Sequence, residues 1–125
     1  MIYLELEDVL RLKARVLPHV EIRDLGLLGS ALARPQQTAF GELIYPTVSS
    51  AAAALLDSVV RNHPLVDGNK RLGFLVFMTF LSFNNRRIQA TDDELFELII
   101  SIASGSLIDI PELAEWIESR TRNWR

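Results

Sequence analysis

Apolar residues recur at helical spacing through most of the chain. From about Leu6 the residues Leu6, Val9, Leu10, Leu12, Val16 and Leu17 follow a three-to-four-residue period, and Pro18 closes the run. The spacing predicts a second helix from Asp24 to Ala33, capped by Asp24, with Leu25, Leu28 and Leu32 on one face and Pro35 as its stop. Gly26 and Gly29 weaken that helix in isolation, so tertiary packing must hold it. A third helix is expected from Val48 to Asn62, starting near Ser49 or Ser50. Its four alanines, Ala51 to Ala54, suit close approach by a neighbour, and Leu55, Leu56, Val59 and Val60 continue a buried stripe. A fourth, from about Asn69 to Asn84, is apolar nearly all round. Between Leu72 and Phe83 only Gly73, Thr79 and Ser82 interrupt it, which predicts the central rod of the fold. Thr91 and Glu94 have the spacing of a capping box ahead of Leu95, Leu98, Ile99 and Ile102, and Gly105 ends that helix. A last helix opens at Asp109 to Glu112 and runs to about Arg120, with Leu113 and Ile117 inward.

The connecting pieces carry less pattern. Met1 to Leu4 reads as an extended lead-in, and His19 falls in a loop facing solvent. Gln36 to Thr47 is the longest irregular segment, punctuated by Gly41 and Pro46, with Leu43, Ile44 and Tyr45 suited to a short extended edge. It reads either as a connecting loop with an apolar anchor or as a flap that holds a peptide by strand addition. Asn84 to Arg87 is expected as a solvated turn, and Trp116 and Trp124 as packing on the core edge, with a partner surface as the alternative. No strand pair is predicted. The expectation is one all-α domain over residues 1–125, about six helices around a buried central helix, with room for a small flap between the second and third.

Composition narrows the classes. The chain has 125 residues and is 49% hydrophobic, enough for a real core. Thirteen basic residues against 16 acidic ones give a net charge of −3, which disfavours nucleic-acid binding. There is no cysteine, so disulfide and thiol chemistry are excluded. The amino end has no signal-peptide pattern, and the longest apolar run is shorter than the ~20 residues of a membrane span. A cytoplasmic protein with no direct nucleic-acid or membrane partner is expected.

The chemistry is compressed into HPLVDGNKR, residues 63–71. His63 is a proton acceptor suited to neutral pH. Leu65, apolar in a polar loop, should plug into the core. Asp67 is a hard oxygen ligand for magnesium carrying a nucleotide phosphate. Gly68 permits a sharp turn and close approach. Asn69, Lys70 and Arg71 begin a helix, so their amides form an anion site, and two cations reinforce it. A base, a metal carboxylate and an anion site are the parts phosphoryl or nucleotidyl transfer needs. The loop is not a GxxxxGK[ST] motif, and two histidines without cysteine do not make a zinc site.

This loop resembles the motif HxFx(D/E)(A/G)N(G/K)R of the Fic/Doc superfamily. Its Asn-Lys-Arg ending is similar to the Doc, or death-on-curing, branch. GLLGSALARPQ, GELIYPT and the stretch Val60 to Pro64 extend the resemblance over most of the chain. The resemblance implies the all-helical Fic fold and a toxin of a type II toxin–antitoxin module. It implies phosphate transfer from ATP or another NTP to a Ser/Thr hydroxyl of a protein, with elongation factor Tu as the expected target and translation arrest as the result. Carried over by position, His63 is the base and Asp67 holds magnesium. Gly68, Asn69, Lys70 and Arg71 bind phosphates, with Lys70 and Arg71 also catalytic. Leu43, Ile44, Tyr45 and Pro46 form the flap that positions the target.

Leu65 stands where the motif has phenylalanine, and Asp67-Gly68 is nearer the Fic pattern, which keeps AMP transfer open as an alternative. A catalytically silent binding module is the other alternative. Lys70 occupies the place of a glycine in typical Fic enzymes; its side chain would reverse the nucleotide and present the γ-phosphate. No inhibitory (S/T)xxxE(G/N) helix is present. The expected inhibitor is a separate Phd-like antitoxin, a disordered segment that folds on binding.

Overall fold

The computed structural model describes residues 1–62, 64, 65, 67–105 and 109–124. Among these are six α-helices: α1 Leu6–Val16, α2 Leu25–Ala33, α3 Val48–Asn62, α4 Asn69–Phe83, α5 Asp92–Ala103 and α6 Ile110–Arg120. A 3₁₀ turn, Arg34–Gln36, follows α2. The fold is all-α, and none of these helices is long and apolar enough to cross a membrane.

Short polar side chains begin the helices by accepting from amides that have no carbonyl partner. The Asp24 carboxylate accepts from Leu27 N at 3.0 Å, and Asp109 from Glu112 N at 2.8 Å. Thr91 and Glu94 form the reciprocal box expected of them, at 3.1 Å each way. Thr47 and Ser50 exchange the same pair of contacts at the start of α3, at 3.0 Å each.

The central element is α3, which corrects the expectation that α4 would be the rod. Every residue from 51 to 60 is buried, and α2, α4, α5 and α6 all pack on α3. Its alanines admit neighbours on several sides. In α4, Phe74, Leu75, Met78 and Thr79 are only half-buried and Phe83 is exposed, so its apolar girth exceeds what its neighbours cover. The two helices cross at Gly73: a Cβ there would lie 2.7 Å from Val60 Cγ2. Leu28 and Leu32 of α2 face the core as predicted, but Leu25 is exposed. In α1, Val9 is buried, Leu17 just beyond its end is also buried, and Val16 is exposed.

Two antiparallel strand pairs correct the expectation of none. β1 Thr38–Ala39 pairs with β2 Glu42–Leu43 across a turn of Phe40 (φ 52°) and Gly41 (φ 80°), both left-handed as a two-residue hairpin turn requires. β3 Arg86–Ile88 pairs with β4 Thr121–Asn123, in the register Arg86 to Asn123, Arg87 to Arg122 and Ile88 to Thr121. The expected solvated turn thus narrows to Asn84 and Asn85. Asn84 clasps the amino end, its Oδ1 accepting from Ile2 N at 2.7 Å and its Nδ2 donating to Ile2 O at 2.8 Å. Trp124 N donates to Asn85 O at 3.2 Å. Trp116 packs on the core, whereas the half-exposed Trp124 ring lies under the Arg87 guanidinium at 5.7 Å.

Candidate functional site

The loop joining α3 to α4 is braced by the segment that precedes α2. Ile22 and Leu65 form an antiparallel bridge. The Pro64 carbonyl accepts from Arg23 N at 2.8 Å and from Asp24 N at 3.1 Å. Arg23 Nη2 donates to Asn62 O at 3.3 Å, and Asn62 Nδ2 donates to Leu27 O at 3.4 Å. Leu65 is buried in the core, as a plug should be. The predicted base, His63, lies outside the described residues, as does Val66.

At the α4 end of the loop, Asn69 is buried and its side chain faces back. Its Oδ1 accepts from Leu65 N at 2.9 Å and its Nδ2 donates to Leu65 O at 3.0 Å. Those contacts hold the loop against the helix. Gly68, the N-cap, has φ 85°. A Cβ there would lie 3.1 Å from Arg71 Nη2 and 3.6 Å from both Val20 methyls, so a side chain would crowd the guanidinium that folds over the turn. The amides of Lys70 and Arg71 precede the first bond of the helix ladder, Leu72 N to Gly68 O at 2.9 Å. Both side chains are exposed, and among the described residues neither has a carboxylate partner. Positive charge thus converges on the positive end of a helix.

This helix start opens into a groove of about 660 Å³. Residues 67–71 line one side, with Val60 and Phe74 at its floor; α5 supplies the other wall through Asp92, Leu95, Phe96, Ile99, Ile100 and Ala103. Phe96 is 66% exposed and Ile100 37%. The groove therefore joins a cationic mouth to an apolar shelf. Sequence reasoning assigned α5 only a cap and an inward face. The signal was present, because Phe96 and Ile100 are spaced four apart beside the stripe of Leu95, Leu98, Ile99 and Ile102.

Asp67 is exposed at the mouth, its Oδ1 accepting from Gly68 N at 2.8 Å. Among the described residues no cluster of three or more His, Cys, Asp or Glu side chains forms. Asp67 and, on the opposite wall, Asp92 are the carboxylates lining the groove; oxygen donors of this kind fit magnesium that arrives on a polyphosphate and keeps its waters. The flap residues are placed elsewhere. Leu43, Ile44 and Pro46 are exposed, Tyr45 is half-buried against the core, and none of them lines the groove.

Fold and loop together define a small helical domain in which the amino end of α4, with Lys70 and Arg71, opens onto the groove. The Fic/DOC family profile matches residues 3–81, from the lead-in to the last turn of α4. Toxin Doc of Mycolicibacterium smegmatis (strain ATCC 700084 / mc(2)155) is 46% identical over 92 residues, spanning 73% of this chain and 71% of that relative. The chain belongs to the Fic/DOC family.

Proposed function

We propose that this protein is the toxin of a toxin–antitoxin pair and transfers a phosphate from ATP, or another nucleoside triphosphate, to a Ser/Thr hydroxyl of a protein. The observation that carries this reading is the groove of about 660 Å³, in which the amino end of α4, Lys70 and Arg71 meet an apolar shelf that a nucleobase could cover. The relative's name, Toxin Doc, supports the toxin role. Elongation factor Tu is the target the family resemblance points to. A Phd-like antitoxin segment is the expected partner, and the cytoplasm the expected compartment.

In this reading the target hydroxyl attacks the γ-phosphorus, the new O–P bond forms, and the bond to the β-phosphate oxygen breaks to release the nucleoside diphosphate. His63 takes the hydroxyl proton. Lys70, Arg71 and the α4 amides hold the phosphate oxygens as charge shifts onto the leaving group. Asp67 would hold magnesium, which neutralises phosphate charge when bound. Gly68 keeps the backbone low enough for the phosphates to reach the amides.

The test is incubation with γ-labelled ATP and candidate translation factors, comparing the wild type with His63→Ala. Label on the protein with the wild type alone is the expected result. Intact-mass measurement then reads the chemistry: about 80 Da added is phosphate, and about 329 Da is AMP. Growth arrest that persists in His63→Ala would instead favour a silent binding module. Lys70→Gly removes the side chain held to reverse the nucleotide, so the +329 Da product should rise at the expense of the +80 Da one. A variant that still makes only phosphorylated protein would separate Lys70 from the choice of product.

A further inference from the structure

The hairpin β1–β2 is exposed along its whole length, yet a half-buried cation paired with a buried carboxylate lies at its base. Arg34, in the 3₁₀ turn before the hairpin, donates from Nη1 to Asp57 Oδ2 at 2.8 Å and to Ser58 Oγ at 2.9 Å. Its Nε donates to Tyr45 Oη, just after the hairpin, at 3.3 Å, and the guanidinium sits 5.7 Å from the Tyr45 ring centre. Asp57 is only 8% exposed on α3, and its other oxygen accepts from Arg61 Nε at 2.6 Å. Burial works against the Arg34 charge, but its bonds to Asp57 and Tyr45 outweigh this and hold its pKa above the ordinary value.

We propose that Arg34 is a positioning residue: it clamps both feet of the β1–β2 flap to α3 and so fixes the angle at which the flap meets a protein substrate. The substrate half of this rests on the proposed transfer to a protein; the clamp half does not. Among the described residues, no other side-chain hydrogen bond ties 36–46 to the helices. An apolar residue at position 57 would suit its buried surroundings better than a carboxylate. An ion pair of this kind adds little net stability, so a carboxylate kept among buried neighbours fits a role in fixing one geometry. What the clamped flap displays is apolar: Phe40 at the turn is fully exposed in a left-handed conformation, and Leu43 and Ile44 are exposed beside it. A left-handed, solvated phenylalanine is unfavourable for the free protein, which suits a residue that acts on docking.

The experiment uses the purified full chain with Arg34→Ala, Arg34→Lys and Tyr45→Phe. Tyr45→Phe keeps the ring packing and removes only the hydroxyl, so it stays informative if Arg34→Ala folds poorly. Amide exchange at Ile44, bonded to Gln37 O at 3.0 Å, reports the clamp without any activity. It should quicken about tenfold in Arg34→Lys and Tyr45→Phe, the scale of one lost hydrogen bond, while α3 amides keep their protection. The KM for the protein substrate should rise several-fold with kcat and nucleotide KM unchanged. Unchanged exchange at Ile44 in all three variants overturns the clamp. Faster exchange with unchanged substrate KM, or with nucleotide KM rising in parallel, overturns the positioning role. If the wild type modifies no protein at all, the proposed function fails, and the exchange data still decide the clamp.

Discussion

Asn69 sits where a phosphate ligand is expected, yet its amide turns inward and completes both main-chain groups of Leu65. Removing it leaves a buried N–H and C=O without partners. Asn69→Ala should therefore cost about 2–3 kcal/mol in urea unfolding. Asn69→Asp should do no better, since a carboxylate can accept from Leu65 N but meets Leu65 O as a second acceptor. Leu65 itself was legible in the sequence, because an apolar residue inside a polar loop has little use except as a plug. The brace from Ile22 to Asp24 was not, because it acts through main-chain atoms that any residue type carries.

The element easiest to read was α5. Thr91 and Glu94 stand three apart, and that spacing alone dictates their reciprocal bonds. The Glu94 carboxyl is held below its ordinary value, first by the Thr91 backbone amide, then by the Arg120 guanidinium and the Thr91 hydroxyl. The folded state thus binds the proton less well than the unfolded one. Its contribution is complete above the ordinary value of 4.5 and fades as pH falls through the lowered folded value. Wild type and Glu94→Gln should differ in Tm at about pH 7 and converge as pH falls below the lowered folded value, as thermal scans from neutral into acid pH would show. The place of the hairpin β1–β2 was legible, as an extended edge near Leu43 in a flap between α2 and α3, but its pairing was not, and neither was the β3–β4 pair. The hairpin turn is Phe-Gly where the usual signal is Asn-Gly. Strands of two or three residues show no alternation, and Arg86–Ile88 finds its partner only after two intervening helices.

For the whole molecule, the all-α class was readable from helical spacing, but the identity of the central helix was not. Hydrophobicity along α4 suggested a buried rod, whereas burial was decided by side-chain size: the alanines of α3 let neighbours come close on several sides. The tightest approach, Gly73 on Val60, controls how the two longest helices cross. Gly73→Ala gains about 1 kcal/mol of helix propensity but must displace a stiff valine. A net loss of about 1–2 kcal/mol is expected from overpacking. Val60→Ala in the same chain should return part of it, and a double-mutant cycle in urea would measure the coupling.

Ile2 and Trp124 meet on the Asn84–Asn85 turn at one end of α4, while the groove opens at the other. The 15 residues of α4 separate the two by about 22 Å. A tether grafted at residue 2 or 124 would anchor the molecule by its blunt pole and leave the groove facing the bulk solution. Protein immobilised in this way should take up nucleotide as readily as protein left free.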